Sequence, residues 1–453
     1  MWKFHNTNIL IFTLKIKIHF VNLATFGCGI LFNDDLSTRL RAYLMHKIIL
    51  SFVIFTTPIA AHAAGFGLVE QSGSGLGSAF AGAAASAEDA STIYFNPAGM
   101  TYIQGTQLVG ALHMIKPNVD FSGTISATGH TAGGNGGDAG NLAFIPNFYY
   151  KTDLTDSIKF GLGVNAPFGL KTEYDPSWMG RFQAIKSELK TVNINPALAY
   201  RVNDQLSLGV GISAMWAQAE LTRAVNRGAD PTPETTIKIK GDDWGIGFNL
   251  GAIYQVTTDT RIGVAYRSSI HQNLSGESSS PLVAALNTNV KAGLTLPENF
   301  SVSAFSRLND KWDLLGDVTW TRWSRFKELR IDFANTVPDA VTAENWTNTL
   351  RYSVGANYHY SDTLKLRGGL AYDQEAINDQ FRTARIPGND KKWLSLGAGW
   401  LLNPNSRIDV GYSHLFISSA SIADMQAAAK NGNLIGSYNS SVDILSMQYT
   451  HSF

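Results

Sequence analysis

The sequence predicts an all-β fold: an antiparallel transmembrane β-barrel of about fourteen strands, closed on itself, with an N-terminal hatch (plug) inside the lumen. Three observations point there. Apolar residues alternate with small or polar ones at period two over most of the chain after Tyr102. Tight polar turns alternate with long irregular stretches, and the chain ends on an amphipathic strand closed by an aromatic residue.

The alternation is clearest in LSLGVGISAMWAQAELTR. One face carries Leu206, Leu208, Val210, Ile212, Ala214 and Trp216, and the other carries Ser207, Gly209, Gly211, Ser213 and Met215. A helix would scatter both sets around its circumference, whereas a strand keeps each on one side. RYSVGANYHY repeats the pattern, with Tyr352, Val354, Ala356, Tyr358 and Tyr360 against Arg351, Ser353, Gly355, Asn357 and His359; KWLSLGAGWLL sets Leu394, Leu396, Ala398 and Trp400 against Ser395, Gly397 and Gly399. In a soluble sandwich the apolar face would meet another apolar face, and the surface would be polar but poor in glycine. Here the second face mixes glycine and serine with Arg351, Arg367, Asp313 and Asp317, which suits a polar lumen behind a lipid-facing surface. Lipid leaves no backbone group unsatisfied only if the sheet closes.

Short polar breaks fall at Thr155-Asp156, Asn203-Asp204, Thr258-Asp259, Asn309-Asp310, Ser361-Asp362 and Asn403-Pro404. Longer irregular stretches lie between them, such as residues 123–140, 167–180 and 418–438. Both termini and the tight turns are therefore expected in the periplasm and the long loops outside. The last strand, DILSMQYTHSF, puts Leu445, Met447, Tyr449 and Phe453 on one face, with His451 an imperfect member of the stripe. Such a terminal aromatic is the usual signal to the barrel assembly machinery. The expected surroundings are outer-membrane lipid and lipopolysaccharide, and the expected state is a monomer.

Composition agrees. The chain has 453 residues and a formal net charge of +0, which argues against nucleic acid as a partner. Charged residues are 16%, below the roughly 25% of soluble domains. Mean hydropathy is only −0.04, leaving no surplus for membrane-spanning helices. The one cysteine, Cys28, excludes an intrachain disulfide. MHKIILSFVIFTTPIAAHAAGF carries Lys47, an apolar run and the Ala61-His62-Ala63 cleavage pattern of an export signal. We expect residues 1–44 to be a non-native or dispensable extension, 45–63 a signal peptide, 64–100 the hatch and 101–453 the barrel. The mature N-terminus should be Ala64; mass spectrometry showing any residue before Met45 would overturn the export reading.

The stretch STIYFNPAGM, with Pro97 and Gly99 as breakers, is neither a wall strand nor a good helix. A barrel this wide must be filled or left as a channel. The glycine-rich segment from Gly65 to Met100 is compact enough to fold inside it.

These features resemble the long-chain fatty acid transporters of the outer membrane and their aromatic-hydrocarbon relatives. AGF at the expected mature start, SGLGSAFAG, AEDAS and NPAGM are similar to that family's hatch, and LTLPENFSVSAF, WTRWSRF and GLAYDQ to its later strands. The resemblance implies passage of a hydrophobic ligand through a kinked strand and out of the side of the wall. Ala219, Leu221 and Arg223 continue the lumenal face of Ser207, Gly209 and Gly211, an apolar slot ended by a cation that suits an alkyl chain with a carboxylate head. By resemblance Ile239 is a further slot residue and Phe66 an N-terminal contact to ligand. Asn96, Pro97 and Ala98 match the hatch motif that meets the wall, Gly169 falls at the kink, and Asp373 matches a lumenal acid, for which an ion pair with Arg351 or Arg367 is the plainer alternative. A second basic pocket residue of the family falls on Thr342, so Lys238 or Lys240 would have to substitute. The family's long outer loops between strands five and eight are shorter here.

Other signals carry little. The G-x-G-x-x-A pattern from Gly209 to Ala214 lies inside a strand and is not a nucleotide site. The histidines show no metal spacing, His359 stands alone on a lumenal face, and no Ser-His-acid set stands out. No enzyme activity, metal or cofactor is expected. The expected function is uptake of long-chain fatty acids. The alternative is a channel for neutral aromatic or aliphatic hydrocarbons, which would have no use for Arg223. The plug opposes a non-selective porin.

Overall fold

In a computed structural model, residues 65–126, 133–227, 234–426 and 431–453 are described. The expected extension, signal segment and Ala64 lie outside these residues.

The wall consists of β1 (Gln107–Ile125), β2 (Ala143–Asp153), β3 (Ile158–Asn165 and Gly169–Glu173), β4 (Lys186–Arg201), β5 (Leu206–Val225), β6 (Thr235–Gln255) and β7 (Thr260–Arg267 and Ile270–Ser279). It continues through β8 (Thr288–Leu296 and Asn299–Arg307), β9 (Trp312–Thr321 and Glu328–Phe333), β10 (Ala340–Ala343 and Thr349–His359), β11 (Leu364–Asp373), β12 (Lys391–Asn403), β13 (Ser406–Ile417 and Ala420–Asp424) and β14 (Leu434–Ser452). Each strand pairs antiparallel with the next. β14 returns to β1 from Gln107↔Ser452 to Ile125↔Leu434, closing a fourteen-stranded barrel. The segment from Gly169, expected to be loop, is wall strand, because it re-pairs with β4 from Gly169↔Lys190 to Glu173↔Lys186.

The alternation sorts as the sequence suggests. Leu208, Val210 and Ile212 are exposed on the outer face, while Ser207 and Ser213 are buried inside. No helix among the described residues is long and apolar enough to cross a membrane, and the strands do the crossing.

Residues 65–103 pack against the inner faces of the strands as short helical turns: α1 (Gly73–Leu76), α2 (Ala83–Ser86), α3 (Thr92–Phe95) and a 3-10 turn (Pro97–Tyr102). Turns this short have little stability of their own and are held by packing. The lumenal glycines of the wall make room for them. Gly209 and Gly251 are cross-strand neighbours, and a Cβ on Gly209 would lie 2.3 Å from the Ala98 nitrogen. One on Gly251 would lie 1.9 Å from Asn96 Oδ1. Charge anchors the other side. Glu88 contacts Lys365 at 2.9 Å, Arg367 at 2.7 Å and Arg407 at 3.2 Å, and Arg407 also reaches Asp89 at 3.0 Å. Burial opposes ionisation of Glu88, but these three cations outweigh it and hold the carboxyl well below the usual range.

Candidate ligand slot, hatch and wall gap

The lumenal faces of β4 to β8 supply an apolar lining, including Leu189, Met215, Ala217, Leu274 and Leu294, with Ala219 packed against it. Phe66 belongs to the same cluster and is only 5% exposed. Its ring lies 4.8 Å from Trp323, 5.6 Å from Trp346, 5.9 Å from Phe326 and 6.2 Å from Phe168, mostly edge to face. Trp323 and Phe326 converge because β9 is interrupted by a 3-10 turn (Trp323–Arg325), and Glu298 grips Arg322 and Arg325 around it. Trp346 is oriented by its indole N–H, which donates to Glu344 at 2.9 Å. Gly65 must be glycine there, since a Cβ would lie 2.1 Å from the Trp346 ring.

Above this cluster Leu221 and Ile239 face each other across β5 and β6, both half-buried. Arg223, one lumenal position farther on, lies opposite Ile237. It makes only a long 3.5 Å contact to the Ala224 carbonyl and no ion pair among the described residues. A second guanidinium comes from a segment to which sequence reasoning gave no role. Arg385, between β11 and β12, crosses the lumen to donate to Ser187 Oγ at 3.0 Å and the Gln183 carbonyl at 2.9 Å. Ser187 is the cross-strand neighbour of Leu221, so Arg385 stands over the same slot. Burial first, and then the Arg223 charge, push the Arg385 guanidinium down to about 10. Glu344 is pushed up to about 8, mainly by burial.

Lys238 and Lys240 do not substitute for the missing base at Thr342. Lys238 pairs with Glu220 at 3.1 Å on the outward face, and Lys240 is likewise exposed. Alternation with Ile237 and Ile239 explains this: the lysines must point the other way. Thr342, on β10, lies opposite Leu329 of β9.

The wall is interrupted beside the slot. β2 pairs with β3 from Asp153↔Lys159 to Phe148↔Val164, and beyond that residues 143–147 have no ladder partner on the β3 side among the described residues. The same register resumes only at an isolated Gly140↔Thr172 bridge. Opposite this gap, β3 shifts against β4 from Asn165↔Asn193 to Gly169↔Lys190, one extra residue on β3. Pro167 has no N–H to give a ladder. The displaced segment bridges instead to the start of the hatch, Gly67 to Phe168: Leu68 N–H donates to the Pro167 carbonyl at 2.8 Å, and Gly169 N–H to the Phe66 carbonyl at 3.0 Å. Gly169 is therefore the residue where β3 rejoins the wall, with Leu68 Cδ1 2.8 Å from where its Cβ would stand.

Asn96 is fully buried where the hatch meets the wall. Its Nδ2 donates to the carbonyls of Ala84 at 2.7 Å, Ala252 at 3.1 Å and Val264 at 3.3 Å. Its Oδ1 caps the following turn by accepting from Ala98 N–H at 3.1 Å, and Pro97 occupies the first position of that turn. Asp373 is buried, with Arg351 and Lys391 as its cross-strand neighbours. Neither arginine suggested for it is its ion-pair partner: Arg351 donates to the Ala79 carbonyl, and Arg367 pairs with Glu88 and Asp409. His359 is not alone either, since its Nε2 lies 2.9 Å from Asp313.

A closed wall with an apolar outer face, an internal plug and an apolar lumenal slot defines an outer-membrane transport barrel. The chain belongs to the family described as outer membrane protein transport protein (OMPP1/FadL/TodX), whose model matches residues 54–453. It is 33% identical over 400 residues to outer membrane protein P1 of Haemophilus influenzae, covering 78% of this chain and 86% of that protein. It is 28% identical over 422 residues to the long-chain fatty acid transport protein of Escherichia coli K12, covering 84% and 94%. Among solved structures, a FadL homologue from Pseudomonas aeruginosa superposes with a TM-score of 0.80 at 25% identity, over 86% of this chain and 100% of that one. The toluene transporter TbuX of Ralstonia pickettii shares the fold, with a TM-score of 0.63 at 22% identity over 85% of this chain and 100% of that one. The protein is thus an outer-membrane transport barrel and not an enzyme.

Proposed function

We propose that the barrel takes up long-chain fatty acids. The alkyl chain lies in the slot above Phe66, and the carboxylate is held by Arg223 and Arg385. Release then runs past the hatch and laterally through the break between β2 and β3. The observation that carries this reading is the pair of guanidiniums at the end of an apolar lining. An anionic head group is what two nearby cations of low water access favour, and a neutral hydrocarbon gains nothing from them. Relatives named for long-chain fatty acid transport, from Escherichia coli and Salmonella typhi, support the same cargo. Phe66, Ala219, Leu221 and Ile239 are the proposed apolar contacts. Asn96, Pro97, Ala98, Gly169 and Asp373 are the proposed hatch and gate.

A second reading, uptake of neutral aromatic or aliphatic hydrocarbons, has its support in the edge-on aromatic cluster around Phe66 and in the shared fold of the toluene transporters. The two separate in a strain lacking its own transporter: the fatty-acid reading expects uptake of radiolabelled oleate and growth on it, without accelerated entry of toluene. Toluene entry without oleate uptake would reverse the assignment.

A further inference from the structure

Below Phe66 a lumenal cavity of about 250 Å³ contains a carboxyl group that neither slot nor hatch accounts for. Glu70 is 5% exposed, and its Oε2 has no hydrogen-bond partner among the described residues. Its main chain is fixed between the two lips of the wall gap. Asn147, at the end of the unpaired stretch of β2, donates from Nδ2 to the Glu70 carbonyl at 2.9 Å. Gln71, the next residue, donates from Nε2 to the Ala166 carbonyl at 3.0 Å, where β3 leaves its ladder. The Glu70 main chain therefore stands at the inner mouth of the gap, and the residue lines the cavity behind it. Arg351 on β10, Asp373 on β11 and Lys391 on β12 act on it from the wall, and the Tyr94 phenol from α3. Burial is the largest influence and raises the Glu70 carboxyl above the usual range, outweighing its own N–H and the two cations. Phe80, Ile115, Trp393 and Leu415 form apolar parts of the cavity wall, and Arg267 on β7 and Asp317 on β9 line it as well.

We propose that Glu70 hands its proton to the carboxylate of a fatty acid in the cavity behind the gap, so that the ligand enters the membrane as the neutral acid. The inference rests on the fatty-acid reading above. A carboxylate that binds well to two guanidiniums is a poor species to move into hydrocarbon, where a charge is far costlier than a neutral acid. The step balances simply. The O–H bond of the Glu70 carboxyl breaks, an O–H bond forms on the ligand, and the negative charge passes to Glu70, beside Arg351 and Lys391. Water from the bulk returns the proton, and nothing is oxidised or reduced.

The test compares wild type with Glu70→Gln, which keeps size and hydrogen-bonding capacity but carries no transferable proton. Uptake of oleate and of oleyl alcohol is measured in the transporter-deficient strain, together with binding of a spin-labelled fatty acid to the purified barrel. At about pH 7, Glu70→Gln should lower the oleate-to-alcohol uptake ratio by roughly a hundredfold, the low end of what a positioned proton donor contributes. The spin-labelled acid should still bind. Lowering the medium to about pH 5, near the carboxylic acid range, should restore the ratio because the ligand then brings its own proton. An unchanged ratio, an equal fall for both cargoes, or no recovery at low pH would overturn the proposal while leaving the fatty-acid reading standing. Absence of oleate uptake by the wild type would instead remove that reading, and this inference with it.

Discussion

Arg223→Ala is expected to weaken oleate binding by roughly tenfold to a hundredfold, and binding of methyl oleate far less. The range follows from about 1.5–3 kcal/mol for a hydrogen bond to a charged group, at about 1.4 kcal/mol per decade of affinity. Arg223 is suited to show the effect because no carboxylate of the protein pairs with it among the described residues, so its removal strands no internal partner. Arg385 is harder to interpret alone, since it also ties its loop to Ser187 and Gln183. Its share is better measured as the further loss in the Arg223→Ala/Arg385→Ala double variant, with the ester as control for shape. Titration of the spin-labelled acid with each competitor checks both. Equal losses for acid and ester would show that Arg223 only shapes the slot, and the hydrocarbon reading would move ahead.

The second large effect is expected at the hatch. Replacing Asn96 and Pro97 together with alanine should sharply reduce oleate uptake while leaving the barrel folded. Asn96 is the shared donor to the carbonyls of Ala84, Ala252 and Val264, so one truncation loosens the hatch from two wall strands at once. Each lost buried hydrogen bond costs about 1–3 kcal/mol when a partner is left unsatisfied. Here the cost falls on the hatch contact, because the β5–β6 and β6–β7 ladders run without any Asn96 atom. Heat-modifiable mobility on a gel reports the wall, and uptake reports the hatch. A protein that no longer shows the folded band would make this segment part of the wall's stability, and the gating assignment would fail.

The wall was legible because the lipid outside and the polar lumen inside force a strict alternation, which Ser207, Leu208 and Val210 already display. The same periodicity placed Ala219, Leu221 and Arg223 on the lumenal face, and applied consistently it would also have turned Lys238 and Lys240 outward. What it could not reveal depends on contacts between distant segments. The strand piece from Gly169 looks like loop because Pro167 and Gly169 read as breakers, and it becomes strand only by pairing with Lys186–Lys190 of β4. Arg385 sits in RTARIPG, which has no period, and its lumenal position depends on reaching Ser187 across the barrel. Trp323 and Trp346 lie far from Phe66 in sequence, and the density of aromatics in WTRWSRF was the available hint that they gather around one point. Asp373 was legible as a lumenal acid, but its neighbours' commitments to Ala79, Glu88 and Asp409 were not.

The seam between β1 and β14 has a consequence for the order of assembly. It joins Gln107 to Ser452 and runs the full nineteen residues of β1, so it cannot form until the end of the chain is available. Contacts so distant in sequence are late and slow to form. Residues 65–103 lie directly upstream of β1, so they are made long before the strand that completes the wall around them. A hatch still outside when the seam zips has only the open end of the barrel as its way in. The lumenal contacts of the hatch with β12, β13 and β14 cannot exist before those last strands do. Closing the wall and seating the plug are thus both tied to the final stretch of the chain.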